Sequence, residues 1–222
     1  MYQYSVGLAA FDYIPIALSA IGLLYITNTI TLWAQQWRYV ALIGACLIIA
    51  GGLSKATWKM LVASQQVDIA WMNAALFFCL APGMLILSSA IWGAVHQQGQ
   101  LRQKIILLIA ASLTIISLLL SYHWPDQRYG KFYLLGLATI GNLALSIQLF
   151  IKALQTSKPL AAACFAFNLI AVFIMVVLAR IPVQSESLQW IEEILNTFSQ
   201  GAFAYAAFIL YSATKINTRE NS

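Results

Sequence analysis

Charged residues are scarce in this chain. Only 9% of its 222 residues are Asp, Glu, Lys or Arg, whereas 61% are hydrophobic. Soluble globular domains carry about 25% charged residues and about 45–50% apolar ones. So few charges cannot cover a water-facing surface, and the apolar content excludes a disordered chain. The composition therefore predicts an integral membrane protein.

Histidine and cysteine are also scarce, and their positions exclude most metal and haem chemistry. A predicted span over residues 104–122 separates His96 from His123, so the two imidazoles cannot meet at one haem. The three cysteines lie in apolar runs without metal-ligand spacing and are interpreted as small buried apolar residues. Phosphate-binding and hydrolase motifs are also missing. No cofactor and no metal site are predicted.

Basic residues outnumber acidic ones, 12 to 7. They flank apolar segments, where such residues set membrane orientation, and they form no patch suited to nucleic acid. The predicted partners are therefore membrane lipid, a small-molecule ligand and a partner protein for signalling. The first three apolar segments do not resemble the last three, which disfavours a transporter built by duplication.

Seven apolar runs are long enough to cross a bilayer, which needs about 20 residues per helix. Short connections between them indicate that consecutive helices pack antiparallel. The sequence predicts one all-α domain over residues 1–222, a seven-transmembrane-helix bundle. Its spans are expected at about 13–34, 39–62, 69–95, 104–122, 132–152, 159–181 and 188–213.

The basic residues indicate an orientation for this bundle. With seven spans, most of them fall on the face that carries the C-terminus, and the positive-inside rule makes that face cytoplasmic. The prediction is an N-terminus outside, a cytoplasmic C-terminus, and residence in the cytoplasmic (inner) or plasma membrane. The basic residues on the cytoplasmic face are Arg38, Arg102, Lys104, Lys152, Lys158, Lys215 and Arg219.

The seventh span has a polar face. Glu193, Asn196 and Gln200 follow i, i+3, i+7 spacing, and Glu192 shares a face with Asn196. Ionisable groups inside a membrane are costly and therefore mark candidate functional sites. We expect this face to point into the bundle.

Opposite charges for these glutamates lie on other spans. Lys55 on the second span lies at a similar predicted depth, and Arg180 at the outer end of the sixth span is a second candidate partner. The alternative is that these charges only join helices to one another. Lys59, one turn beyond Lys55, is close enough to the interface for its ammonium to reach water.

Amide side chains form a second candidate layer, near the membrane centre. Asn142, Asn168 and Gln200 have comparable predicted depths on spans five, six and seven, and Asn73 lies higher on span three. Such amides commonly join helices by hydrogen bonds. The functional hypothesis is that they form the floor of an outward-facing cavity between spans two, three, six and seven. The predicted rim and aromatic walls are Lys55, Asp68, Arg180, Glu192, Glu193, Trp71, Phe77, Phe78 and Tyr205.

The expected function is a sensor or receptor-like membrane protein that binds a small, partly polar molecule in this cavity. The alternatives are a transporter whose Glu192, Glu193 and Lys55 bind a coupled ion, an intramembrane lipid-modifying enzyme, and a structural subunit. The last span has no lysine near its middle, where retinal proteins need one for the Schiff base, and the motifs of animal seven-helix receptors are missing. The short polar C-terminal segment implies that signalling output would need a partner protein.

Overall fold

The structure is a computed structural model that describes residues 5–123, 129–178, 181 and 185–220, with side chains up to residue 218. These residues form helices joined by short turns and contain no strand, which confirms the all-helical prediction for this part of the chain. The helices are α1 (Val6–Phe11), α2 (Tyr13–Trp33), α3 (Arg38–Gln65), α4 (Ala70–Val95), α5 (Gln100–His123), α6 (Tyr129–Gln155), α7 (Pro159–Leu178) and α8 (Glu186–Glu220). A short 3₁₀ helix, Gln35–Trp37, precedes α3.

Six of the helical segments are long and apolar enough to cross a membrane, which is consistent with a multi-pass membrane protein. The seventh predicted span lies within α8, a helix of 35 residues. At 1.5 Å per residue α8 is about 50 Å long, but its polar residues keep it below the apolarity of the other six. The six segments are Val6–Trp33, Gln35–Gln65, Ala70–Val95, Gln100–His123, Tyr129–Gln155 and Pro159–Leu178.

The first helical segment begins earlier than predicted, at Val6 rather than near residue 13. The hydroxyl of Ser5 accepts a hydrogen bond from the backbone N–H of Leu8 at 3.4 Å and thereby caps α1. Asp12 joins α1 to α2, and only 7% of its surface is exposed. A charge that was expected outside the first span therefore lies inside the bundle.

Helices α2 and α8 run parallel to each other. Just before α2 begins, Phe11 of α1 packs against Trp190 near the start of α8, with ring centroids 5.5 Å apart. Further along both, Tyr25 packs against Phe208 at 5.4 Å. Their contacts therefore advance in the same direction along the two helices.

Three pairs of helices that follow one another in the chain run in opposite directions. Early residues of α2 contact late residues of α3, and the α3–α4 and α7–α8 pairs show the same reversal. As a result, one end of the bundle holds the junction of α1 with α2 and the start of α8, and the other holds the ends of α2 and α6. The contacts that show the reversal are Tyr13–Thr57 and Ile16–Gly52 for α2 and α3, Ser54–Met72 and Gly44–Gly83 for α3 and α4, and Phe165–Phe203 and Asn168–Ser199 for α7 and α8.

Small residues allow close helix packing. Gly44 of α3 approaches the backbone of Gly83 of α4, where an added Cβ would lie 3.0 Å from the carbonyl oxygen. At the far end of α4, Gly93 leaves room for the indole of Trp37, which is fully buried. The Trp37 Nε1–H donates a hydrogen bond to the carbonyl of Gln98 at 3.0 Å.

The outer surface of the bundle is apolar. On α5, for example, Leu101 is 73% exposed and Leu108 is 67% exposed, while few residues of this helix are buried. A broad exposed apolar surface is expected where helices face lipid. Cys46 is also exposed, so the prediction that it is buried was wrong. Its position in an apolar run did not reveal which face of α3 it occupies.

Candidate functional site

A buried ion pair joins three helical segments at one end of the bundle. The ammonium of Lys59 on α3 lies 2.6 Å from Oδ2 of Asp12 and 2.8 Å from Oε1 of Glu193 on α8. None of the three side chains is more than 13% exposed. One lysine therefore holds two carboxylates that belong to opposite ends of the sequence.

The partners in this ion pair differ from those predicted. Lys59 was expected to reach water, but two buried carboxylates bind its ammonium, so it lies inside the bundle. Asp12 was not among the predicted site residues because the first span was placed from residue 13 onward. The signal for it was present, since Asp12 is the only charged residue before Arg38. Arg180, a predicted partner of the glutamates, lies outside the described residues.

Lys55 and Glu192 lie beside this ion pair. Lys55 is one turn from Lys59 on the same face of α3, where it interacts electrostatically with Asp12 and Glu193. It makes no ion pair within the part of the chain that the structure describes. Glu192 has one buried carboxylate oxygen without a hydrogen-bond partner among the described residues. We call Asp12, Lys55, Lys59, Glu192 and Glu193 the charged cluster.

A cavity of about 450 Å³ lies inside the bundle. Six helices contribute to its wall: α2, α3, α4, α6, α7 and α8. The predicted cavity lay between spans two, three, six and seven, which correspond to α3, α4, α7 and α8. The observed cavity is lined by α2 and α6 as well. Most of the wall is apolar, with side chains such as Leu23, Ile48, Leu80, Met84 and Phe203.

The structure brings four of the predicted site residues together in the wall of this cavity. They are Asn142 on α6, Asn168 on α7, and Asn196 and Gln200 on α8. Asn168 donates hydrogen bonds from Nδ2 to the backbone carbonyl of Ser199 at 3.1 Å and to its hydroxyl at 2.8 Å. The other three make no side-chain hydrogen bond to the described residues, so their amides remain available to a ligand.

The charged cluster lies beyond one end of the cavity. Asp12 precedes the lining residue Pro15 by three positions, and Glu193 precedes Asn196 by three positions. At 1.5 Å per residue both steps are about 5 Å along the helix axis. Within the described chain, no charged side chain is part of the cavity wall.

Lys55, Asn73, Glu192 and Glu193, also predicted to bind a ligand, are not part of the cavity wall. Three of them belong to the charged cluster. Asn73 is partly exposed on α4, about one turn before the lining residue Leu76. It therefore takes no part in the amide layer that its sequence position suggested.

Most of the predicted rim and aromatic wall lies elsewhere. Trp71 and Tyr205 are 69% and 50% exposed, because they project from the outer faces of α4 and α8. Phe78 packs against a separate small core around Leu134, whereas Phe77 does line the cavity. Asp68 accepts a hydrogen bond from the indole N–H of Trp58 at 2.8 Å.

The site combines an apolar wall with amides that can both donate and accept hydrogen bonds. This composition suits a molecule with a large apolar part and a small polar group.

Comparison with protein-family models, curated protein sequences and solved structures finds no match to this chain.

Proposed function

We propose that this chain binds a small, partly polar molecule inside its helical bundle and acts as a sensor or receptor-like membrane protein. The observation that carries the proposal is the cavity of about 450 Å³ into which Asn142, Asn196 and Gln200 project amides that the described residues leave unbonded. Ligand cavities are typically about 300–1,000 Å³, mostly apolar, with a few polar groups that fix orientation. In this proposal a partner protein receives the signal.

The proposed topology has seven crossings, with the N-terminus outside and the C-terminus in the cytoplasm of a plasma or inner membrane. The parallel arrangement of α2 and α8 supports it, because the first and last helices of a seven-crossing bundle run in the same direction. The distribution of basic residues supports the orientation. One end of the bundle holds Arg38, Arg102, Lys104, Lys152, Lys158 and Lys215.

Native mass spectrometry of the purified full chain tests ligand binding. We expect the wild-type chain to retain a small molecule that is lost when Asn196→Leu and Gln200→Leu are combined, because the ligand loses its hydrogen-bond partners. Asn73→Leu is the matched control, since it removes an amide outside the cavity wall. Retention of the same molecule by the double variant, or no bound molecule in the wild type, would contradict the proposal.

The charged cluster favours transport as the second candidate function. Buried ionisable groups beside a cavity are typical of sites that bind a coupled ion, and Lys55 lies one turn from Lys59 without an ion pair among the described residues. Proteoliposome flux of whatever molecule the native protein retains would distinguish the two. Gradient-dependent accumulation that Glu193→Gln abolishes would establish transport, whereas binding without flux would establish sensing.

A further inference from the structure

The cavity reaches the side of the bundle between α6 and α7. Leu135 and Thr139 on α6 and Val176 on α7 line the cavity, yet all three are exposed on the outer surface. Leu135 is 37% exposed and Val176 is 38% exposed. Side chains that belong to both surfaces mark a place where the two meet. A bilayer around the bundle would present lipid chains at this opening.

The opening lies far from the turn that connects its two helices. α6 ends at Gln155 and α7 begins at Pro159, whereas the exposed lining residues occupy the opposite halves of both helices. Opening between α6 and α7 at this level therefore requires no change in their connection.

Entry from water at the nearby end of the bundle meets the charged cluster. A molecule that moves between α2, α3 and α8 must separate Lys59 from Asp12 and Glu193. Breaking a buried ion pair leaves charges without partners and costs several kcal/mol. A route through lipid between α6 and α7 avoids that cost.

The cavity wall also restricts the charge of its ligand. None of the described residues in the wall is charged, and its polar groups are amides and hydroxyls. A charged group moved into such a site loses its hydration without gaining an opposite charge. A hydroxyl or carbonyl group can instead exchange hydrogen bonds with Asn142, Asn196 and Gln200.

We infer that the ligand is an uncharged, lipid-like molecule with one hydroxyl or carbonyl group, which enters the cavity from the bilayer between α6 and α7. This inference rests on the proposed function and specifies the class of ligand. The polar group binds the amides of α6 and α8, and the apolar chain occupies the wall formed by residues such as Leu80 and Met84.

Photolabelling in phosphatidylcholine vesicles that contain the full chain tests the ligand class. One probe is a long-chain alcohol with a diazirine on its chain, and the matched probe is the alkyl sulfonate of the same chain length. We expect the alcohol to label cavity residues at least about tenfold more than the sulfonate, equivalent to about 1.4 kcal/mol. Equal labelling, or stronger labelling by the sulfonate, would overturn the inference.

Tryptophan substitutions at the side opening test the route. Thr139→Trp and Val176→Trp narrow the opening and should slow labelling by the alcohol about tenfold or more. Ile140→Trp and Val177→Trp are matched controls, because Ile140 and Val177 are 62% and 64% exposed on the same helices but do not line the cavity. Equal rates in the two pairs of variants would overturn the route.

The experiments distinguish a failure of the inferred ligand class from a failure of the proposed binding function. If the native protein retains a small molecule through Asn196 and Gln200 but the alcohol does not label the cavity, the inferred ligand class is wrong and the binding function stands. If no molecule is retained and neither probe labels the cavity, both are wrong.

Discussion

The ammonium of Lys59 lies 2.8 Å from the carboxylate of Glu193, although 134 positions separate the two residues in the chain. The same ammonium lies 2.6 Å from Asp12 at the junction of α1 and α2. The junction of α1 with α2 therefore meets α3 and α8 at a single lysine. The arrangement fixes the end of the bundle next to the cavity.

Replacing Lys59→Met should destabilise the protein by about 3–5 kcal/mol, because it leaves Asp12 and Glu193 buried without a counter-charge. The free energy of unfolding in mixed SDS micelles measures the effect. Lys158→Met, at an exposed position, is the control and should change stability little. Adding Asp12→Asn and Glu193→Gln to Lys59→Met should restore most of the loss; a triple variant as unstable as Lys59→Met would contradict this explanation.

Gly93→Ala should destabilise the α3–α4 end of the bundle by about 1–3 kcal/mol, the usual cost of overpacking a core. The added methyl group would overlap the indole of Trp37, which is buried on all sides and cannot move aside. Gly136→Ala on α6 is the matched control, because an added Cβ there has open space. Thermal unfolding should separate the two variants, and equal melting temperatures would contradict the packing.

The hydrogen bond between the side chains of Asn168 and Ser199 should contribute about 0.6 kcal/mol, the average for such bonds between membrane helices. A double-mutant cycle with Asn168→Ala and Ser199→Ala measures this coupling. Pairing Asn168→Ala with Ser117→Ala should give a coupling near zero, since Ser117 bonds to the carbonyl of Gly130 on another helix pair. Zero coupling in the first cycle would show that the bond does not stabilise the bundle.

Single cysteines at the two ends of α8 test its crossing and the orientation of the chain. In a background with Cys46, Cys79 and Cys164 replaced by alanine, we expect Glu186→Cys to react with an impermeant maleimide in intact cells. Lys215→Cys and Lys158→Cys should react only after permeabilisation. In the proposed topology the end of the bundle that holds most of the basic residues faces the cytoplasm. Labelling of positions 186 and 215 from the same side would show that α8 does not cross.

Much of the helical architecture could be predicted, because an apolar run of about 20 residues is the length of helix that crosses the apolar part of a bilayer. The boundaries of α4, predicted at 69–95 and observed at Ala70–Val95, show how closely composition follows structure. The first segment was predicted from about residue 13 onward, which left Asp12 outside it, whereas a lysine on another helix stabilises Asp12 inside the bundle.

The sequence indicated which residues of the candidate site face inward better than it indicated which residues they contact. The i, i+3, i+7 spacing on α8 correctly put Glu193, Asn196 and Gln200 on one inward stripe. The spacing did not separate their environments, since Glu193 joins the charged cluster and the two amides line the cavity. Phe77 of the predicted aromatic wall lines the cavity, but Trp71 and Tyr205 project outward, because their direction depends on how α4 and α8 rotate against their neighbours.

The sequence by itself determined that the chain is apolar and helical, and which few polar residues interrupt its helices. Hydropathy and helical period are local properties, so the order of residues along one helix is enough to reveal them. Only the tertiary structure decided that Lys59 binds both Asp12 and Glu193, and that Asn142, Asn168, Asn196 and Gln200 share one cavity. These relationships depend on the rotation and pairing of helices distant in the chain, which close packing of the whole bundle sets.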